Sequence, residues 1–569
     1  MLPRRIHLVF KTHLDIGFTD HAAKVRQLYH ERFIPQAIAT GAHFYAENPD
    51  APKFIWTTGA WLIWDHLNSA PPEAVKRLEG AIEKGLVRWH GLPFTTHSEL
   101  MSPALFRAGL SYSAELDKRF GKTTRAAKMT DVPGHTLAIV PLLAEAGIRF
   151  LHLGVNTASP PPGVPDTFRW QAPSGHEIVV MYQHSYGETH IPTGFVDGLS
   201  FAHTSDNLGP QAIHQTVEVY RALAHQYPST EIQAATLEDF GELLWAERNR
   251  FPLVTDELGD SWIHGVGSDP VKTQRFLSLQ RLYDGFVAED LTEKRLAFGR
   301  QLALVPEHTW GVDIKTYLRD ETGWDRPAFE GLRNSDYRFA YTEASWAEQR
   351  AYIDQAIGML AAKDARRAAA ALAETAAPMS PSSIVPPPAD MEIRVGSWTL
   401  RVDRTTGDIL AIEGPDGLVL AGAEHPVLGY RHESFDAADM QVHLNTYLTD
   451  RPEWAILDHD KPGLDRVVSA QSASWCPRLA GLAERDGWAI LSLELPAEAH
   501  ARLGAPQTVE YGFRADGSGL TCRIVLRNKL ANRMPEAGFL AFGLPAQGWS
   551  FLKMGLWHMA GQEVPLGGG

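Results

Sequence analysis

Two polar side chains suited to a metal stand two positions apart where the first apolar run ends, His13 and Asp15 in Lys11-Thr-His-Leu-Asp-Ile-Gly-Phe18. On a strand, residues i and i+2 point to one side. A neutral imidazole and a carboxylate placed together suit a borderline divalent cation such as Zn2+. The same triplet serves equally as a plain strand end running into a polar loop. A second segment, Asp131-Val-Pro-Gly-His135, puts a carboxylate where a short apolar run meets a Pro-Gly turn. There Asp131 is either a rim residue of an active site or a helix-capping group. The chain has 2 cysteines, Cys476 and Cys522, so any metal site must be built from His, Asp or Glu.

These residues need elements to hold them. Apolar runs at residues 6–10, 53–56, 86–89, 126–130, 149–154, 177–182 and 231–235 read as strands. Helical spacing at 35–48, 72–84, 103–120, 137–146 and 211–227 falls between them. Repeated βα units with fully apolar strands imply a parallel sheet covered by helices, closed or nearly closed as a (β/α)7-type barrel over residues 1–265. His13, Asp15 and Asp131 then sit at carboxyl ends of strands, where barrel active sites lie. Residues 266–377 carry helical periodicity and good helix formers, which predicts a helical bundle. Residues 378–390 are dense in Pro and Ser and read as a linker. From 391 to 569 apolar and polar residues alternate between turns, which predicts a β-sandwich-like domain.

The order and spacing of these motifs resemble the family 38 α-mannosidases. That family opens its barrel with His-x-Asp-x-Gly followed by an aromatic residue, matched by His13 to Phe18, and carries a later Asp-x-Phe/Pro-Gly-His turn, matched by Asp131 to His135. Between and beyond them, Lys53-Phe-Ile-Trp56 with Trp61 and Trp64, Gly147 and the strand after it, Phe168 to Gly175, and Gly265 to Lys272 are similar to further family segments. The likeness extends over roughly 370 residues.

The resemblance implies that His13, Asp15 and Asp131 ligate one Zn2+ and that a histidine of the helical domain, His308 in Pro306-Glu-His-Thr-Trp-Gly311, completes the set. The family has His-His-Asp at that point, and this chain departs from it. It further implies a retaining exo-α-glycosidase in which Asp131 is the nucleophile and forms a glycosyl-aspartate. A second carboxyl must protonate the leaving oxygen. Asp206, in a loop similar in part to the family's, is the expected acid/base, with Asp260 and Asp269 as alternatives. Glu99, Trp262, His264, Asp269 and Trp310 are expected to line the sugar site, Glu99 as a hydroxyl contact.

Two other classes account for some of the same residues. A metal-dependent carbohydrate deacetylase shares similar barrels, but no paired Asp with a His-x-x-x-His spacing accompanies Asp131. A non-catalytic carbohydrate-binding protein on the same scaffold would have no need of the His13, Asp15, Asp131 and His308 set. The formal net charge of −15 and the lack of a long Lys/Arg run argue against nucleic acid as a partner. With no apolar stretch long enough to span a bilayer and an N-terminal apolar run too short for a signal peptide, a cytoplasmic protein acting on carbohydrate is expected. Homo-oligomerisation is compatible with all of this.

Overall fold

A computed structural model of the chain describes residues 3–260, 262, 266–376, 385–386, 391–422, 424–517, 519–543 and 549–559. Two compact units emerge, one drawn from Met1–Asp313, Thr342–Thr375 and Phe551–Gly569, the other from Ile314–Tyr341 and Ala376–Ser550. No helix among the described residues is long and apolar enough to cross a membrane.

The first unit carries the strands β1 (Arg5–Thr12), β2 (Trp56–Gly59), β3 (Val87–His90), β4 (Ala126–Asp131), β5 (Phe150–Val155), β6 (Thr167–Gln171), β7 (Glu177–Gln183), β8 (Asp197–Thr204) and β9 (Glu231–Ala234). One sheet runs β3-β2-β1-β8, all parallel, with β9 alongside the first half of β1. The other runs β4-β5-β7 in parallel, with β6 antiparallel to β7. The strands expected to form one ring thus lie in two parallel arcs. The arcs approach where the Gly91 amide donates to the Ala126 carbonyl at 2.9 Å. β1 is long and buried because Ile6, Leu8, Val9 and Phe10 meet apolar groups on both faces, as a central parallel strand must.

Each arc has its own core. Leu8, Phe10, Trp56, Trp89, Ile34 and Leu62 pack over the first. Leu105, Phe106, Ile139, Leu151 and Trp170 pack over the second, together with Phe276, Leu279, Tyr283 and Phe286 from the helix Pro270–Glu289. Those last four recur at helical spacing and are almost fully buried, each worth about 1.5–3 kcal/mol of apolar transfer. Helices Pro270–Glu289 and Glu293–Leu302 therefore share a core with the strands instead of forming a separate bundle. Residues 314–341 of the expected bundle fall in the second unit. The expected linker lies largely outside the described residues.

In the second unit two antiparallel sheets share one core. Leu400 and Ile409 from one sheet meet Leu491, Leu493, Val509, Tyr511 and Phe513 from the other. The hairpin joining Arg478–Arg485 to Trp488–Glu494 turns at Asp486 and Gly487, both with positive φ (49° and 77°), as a tight two-residue hairpin turn demands. Two helices, Ala437–Tyr447 and Glu453–His459, interrupt the strands in a region the sequence pattern assigned to sandwich alone.

Candidate active site

β1 and β8 run parallel and end on the same side, and β4 of the other sheet ends there too, its Asp131 Oδ2 lying 3.6 Å from His308 Nε2. Beyond β1, the backbone turns at Gly17, whose φ of 129° is open to glycine but strained for other residues. This turn brings the Phe18 amide to the Gly311 carbonyl at 2.9 Å and the Asp313 amide to the Phe18 carbonyl at 2.8 Å. Residues far apart in sequence are thereby laid side by side, and His308 arrives next to His13.

His13, Asp15 and His308 converge with their ligand atoms close enough to share one cation, and all three are buried. His308 Nε2 lies 3.2 Å from His13 Nε2, 3.1 Å from Asp15 Oδ1 and 3.6 Å from Asp131 Oδ2. His13 Nε2 is 3.2 Å from Asp15 Oδ1. The second oxygen of Asp15 is buried with no hydrogen-bond partner. Two imidazole nitrogens and the Asp15 carboxylate gathered at one point, with one Asp15 oxygen left over, fit a divalent cation in a mixed N/O site, while Asp131 lies at the edge of the group, nearest to His308. Burial pushes the Asp15 carboxyl up, but His13 and His308 outweigh it and hold it well below the usual carboxylate range.

Asp131 closes β4 in the left-handed region, φ 82°, a conformation costing about 1–3 kcal/mol in a non-glycine residue. Its side chain is gripped on Oδ1 by the Tyr186 hydroxyl at 2.6 Å and the Asn156 amide at 3.1 Å. Tyr186 is held in turn by Lys128, a buried residue of β4 whose Nζ donates to the Tyr186 carbonyl and meets His152 Nδ1, each at 2.8 Å. Lys128 sits over the Phe201 ring, 4.3 Å from its centroid. In the Pro-Gly turn after Asp131, a Cβ on Gly134 would fall 2.5 Å from the Asp260 amide nitrogen, so only glycine lets the two chains meet.

Asp206 follows β8. Burial, then the nearby charges of Asp15 and Asp131, push its carboxyl up to about 6, with His13 pulling the other way. Its Oδ1 is buried without a partner. The next residue, Asn207, adopts φ 52° and ties this loop to the first. Its Oδ1 accepts from the Asp15 amide and the Tyr29 hydroxyl, both at 3.1 Å. Its Nδ2 donates to the carbonyls of Asp15 and Gly17 and to Thr19 Oγ1.

The remaining expected contacts are distributed less neatly. Glu99 is taken up by Lys553 Nζ at 2.5 Å, and Lys553 lies 3.5 Å from Glu257 as well. Asp269 caps the helix Pro270–Glu289 through the Lys272 amide and pairs with Arg350 at 2.6 Å, which accounts for its carboxylate without a sugar. Asp260 accepts from the Trp262 amide at 2.6 Å. Trp262 and Trp310 are half-buried, the latter in the loop that carries His308. His264 lies outside the described residues. His135 holds the turn, its amide donating to the Leu258 carbonyl at 2.6 Å and its Nδ1 meeting Ser98 Oγ at 3.2 Å. Lys128, Asn156 and Asn207 were missed from the sequence because no motif marks them and their partners are far away in the chain.

Two family models match the chain. Residues 3–238 match the glycosyl hydrolases family 38 N-terminal domain, and residues 266–522 match a domain of unknown function, DUF5054. No curated protein matches. Among solved structures, an alpha-mannosidase from Enterococcus faecalis V583 superposes with a TM-score of 0.59 at 11% identity, covering 97% of this chain and 77% of that one. A protein in the glycosyl hydrolase family 38 from Enterococcus faecalis gives 0.53 at 10% identity, covering 98% and 77%. At such identity the likeness is one of fold.

Proposed function

From a chain that belongs, as a diverged member, to glycosyl hydrolase family 38 and is a glycoside hydrolase, we propose a zinc-dependent, retaining exo-α-glycosidase acting on α-mannosides. The observation that carries the reading is the meeting of His13, Asp15 and His308, with Asp131 Oδ2 3.6 Å from His308 Nε2. His13 and His308 through Nε2, with Asp15 and Asp131 through carboxylate oxygens, would hold the ion. When bound, it supplies a Lewis-acidic grip on sugar hydroxyls beside the reacting carbon.

The side chains divide the rest of the work. Asp131 attacks the anomeric carbon, forming a C–O bond as the glycosidic C–O bond breaks. Asp206 gives its proton to the departing oxygen in the same step. Tyr186 and Asn156 hold one oxygen of Asp131 by hydrogen bonds and keep it from rotating. In the second step Asp206, now a carboxylate, takes a proton from water as that water's oxygen displaces Asp131 from the sugar, with retention of configuration. A carboxyl pushed up to about 6 is suited to both donation and return of a proton near neutrality. Among the sequence-derived contacts, Trp262 and Trp310 supply apolar faces on which a sugar ring can rest. A cytoplasmic location completes the proposal.

Elemental analysis of the purified chain and of His13→Ala, with both assayed on a panel of aryl α-glycosides, tests it. One zinc per chain, lost together with hydrolysis in the variant, is the expected result. A folded native chain that binds no metal and cleaves none of the panel would sink the proposal.

A further inference from the structure

The two ring nitrogens of His308 have different company. Nε2 faces His13, Asp15 and Asp131. Nδ1 lies 2.7 Å from Oε1 of the adjacent residue, Glu307. Glu307 is 3% exposed, and its one ion pair among the described residues is with His308. Its other oxygen accepts from the Thr309 hydroxyl at 2.5 Å and the Thr309 amide at 3.2 Å. That hydroxyl is also 3.2 Å from the Ile16 carbonyl, between Asp15 and Gly17 in the first ligand loop. The Glu307 backbone is fixed as well, bridging to Thr96.

A buried carboxylate is costly unless its lone pairs are used. Here three donors converge on it, two of them from Thr309, which leaves only the His308 Nδ1–H to be chosen by the carboxylate. A neutral imidazole carries one proton, on one nitrogen or the other. With the proton on Nδ1 and bonded to Glu307, the Nε2 lone pair is free and aimed at the other donors. With it on Nε2, the ligand face is blocked and Glu307 meets a lone pair. We infer that Glu307 is the positioning residue of this metal site: it selects the His308 tautomer that ligates, and adds negative charge behind the imidazole. The inference rests on the metal-site reading above. It goes beyond it by assigning a role to a residue outside the ligand set, at the point where this chain departs from the His-His-Asp pattern.

Glu307→Gln keeps the size but removes the charge, and the Thr309 amide then opposes one arrangement of the new amide group. The zinc dissociation constant, measured by competition with a chromophoric chelator, is expected to rise about 10- to 100-fold. The visible absorption of the Co2+-loaded chain should shift, while the melting temperature of the metal-free chain stays put. Glu307→Asp, which restores the charge at shorter reach, should recover part of the affinity. An unchanged constant and unchanged cobalt bands in Glu307→Gln overturn the inference, as does a lowered metal-free melting temperature with affinity intact, since that marks Glu307 as structural. His308→Ala separates the two levels. If the native chain binds zinc and His308→Ala does not, the metal site stands whatever Glu307→Gln does. If the native chain binds no zinc, the site and the inference fall together.

Discussion

Removing the proposed proton donor is the sharpest test of how the two carboxyls would divide the work. In Asp206→Asn the side chain keeps its size but can no longer deliver a proton to the leaving oxygen. The carboxyl is pushed up from an ordinary value of 3.8 to about 6, which disfavours its ionised form by about 3 kcal/mol. Burial is the largest cause, followed by the like charges of Asp15 and Asp131. A bound dication offsets those charges, so the holoenzyme should lose activity as pH rises through a value at or below about 6. The sign follows from the role: the acid must be protonated to act, so kcat/KM falls about tenfold per pH unit above that point. General acid catalysis is typically worth 10²- to 10⁴-fold, so Asp206→Asn should lose about that much on substrates with poor leaving groups. On dinitrophenyl glycosides, which depart without help, glycosylation should be nearly unaffected, deglycosylation slow, and an initial burst visible. The assay is kcat/KM against pH for both proteins on both substrate types. A loss that is the same for good and poor leaving groups, or an alkaline limb that persists in Asp206→Asn, would refute the assignment.

Tyr186→Phe removes the 2.6 Å hydrogen bond on Asp131. A bond to a charged group is worth about 1.5–3 kcal/mol, so kcat/KM should fall about 10- to 100-fold while bound metal, read by elemental analysis, stays at one per chain. Chelator dialysis should abolish hydrolysis, and added Zn2+ should restore it; activity that survives complete metal removal would contradict the site. Asn207→Ala strips the joint between the loops that follow β1 and β8 of its hydrogen bonds and strands the Asp15 amide. Thermal or urea unfolding should show a loss of about 2 kcal/mol or more. In Gly134→Ala the new methyl group meets the Asp260 backbone, so the chain should melt several degrees lower; an unchanged melting temperature would mean the turn can relax.

What could be read from the sequence was what repeats at short range. β4, expected at 126–130, spans Ala126–Asp131, and the helix expected at 103–120 is Pro103–Phe120. The strand expected at 53–56 begins only at Trp56, because Lys53 to Ile55 precede the pairing with β3. β8 went unread: its sequence Asp-Gly-Leu-Ser-Phe-Ala-His-Thr has weak strand propensity, and it is a strand because all eight of its residues pair with β1. The helical region failed as a separate body for a related reason. Periodicity reveals an apolar face but not what covers it, and here helix Pro103–Phe120 covers it. At the site, the two-residue spacing of His13 and Asp15 was visible as spacing. His308 could be singled out only through the resemblance. Glu307 stood beside it in the sequence as an ordinary acidic residue, since nothing in a linear pattern tells that its carboxylate turns back onto the neighbouring ring.

Three of the non-glycine residues in the left-handed region lie in the loops that carry the candidate site. Phe18, Asp131 and Asn207 all occupy the left-handed region at 59°, 82° and 52°, which a short local sequence does not favour. Lys128 is buried at 1% exposure, and burial then the charge of Lys11 push its amine well below the usual range. Each departure is held by contacts from a distant segment: Phe18 by Gly311, Asp131 by Asn156 and Tyr186, Asn207 by Asp15 and Tyr29, Lys128 by His152. Strain of this kind persists only when the surroundings over-determine it. A scaffold selected for stability alone would gain from glycine or an apolar residue at such positions. Phe18 stands three residues after Asp15, Asn207 adjoins Asp206, and Lys128 holds the Tyr186 that bonds Asp131; in the proposed mechanism these contacts would set ligand and carboxyl positions before substrate arrives, by hydrogen bonds that the reaction need not remake.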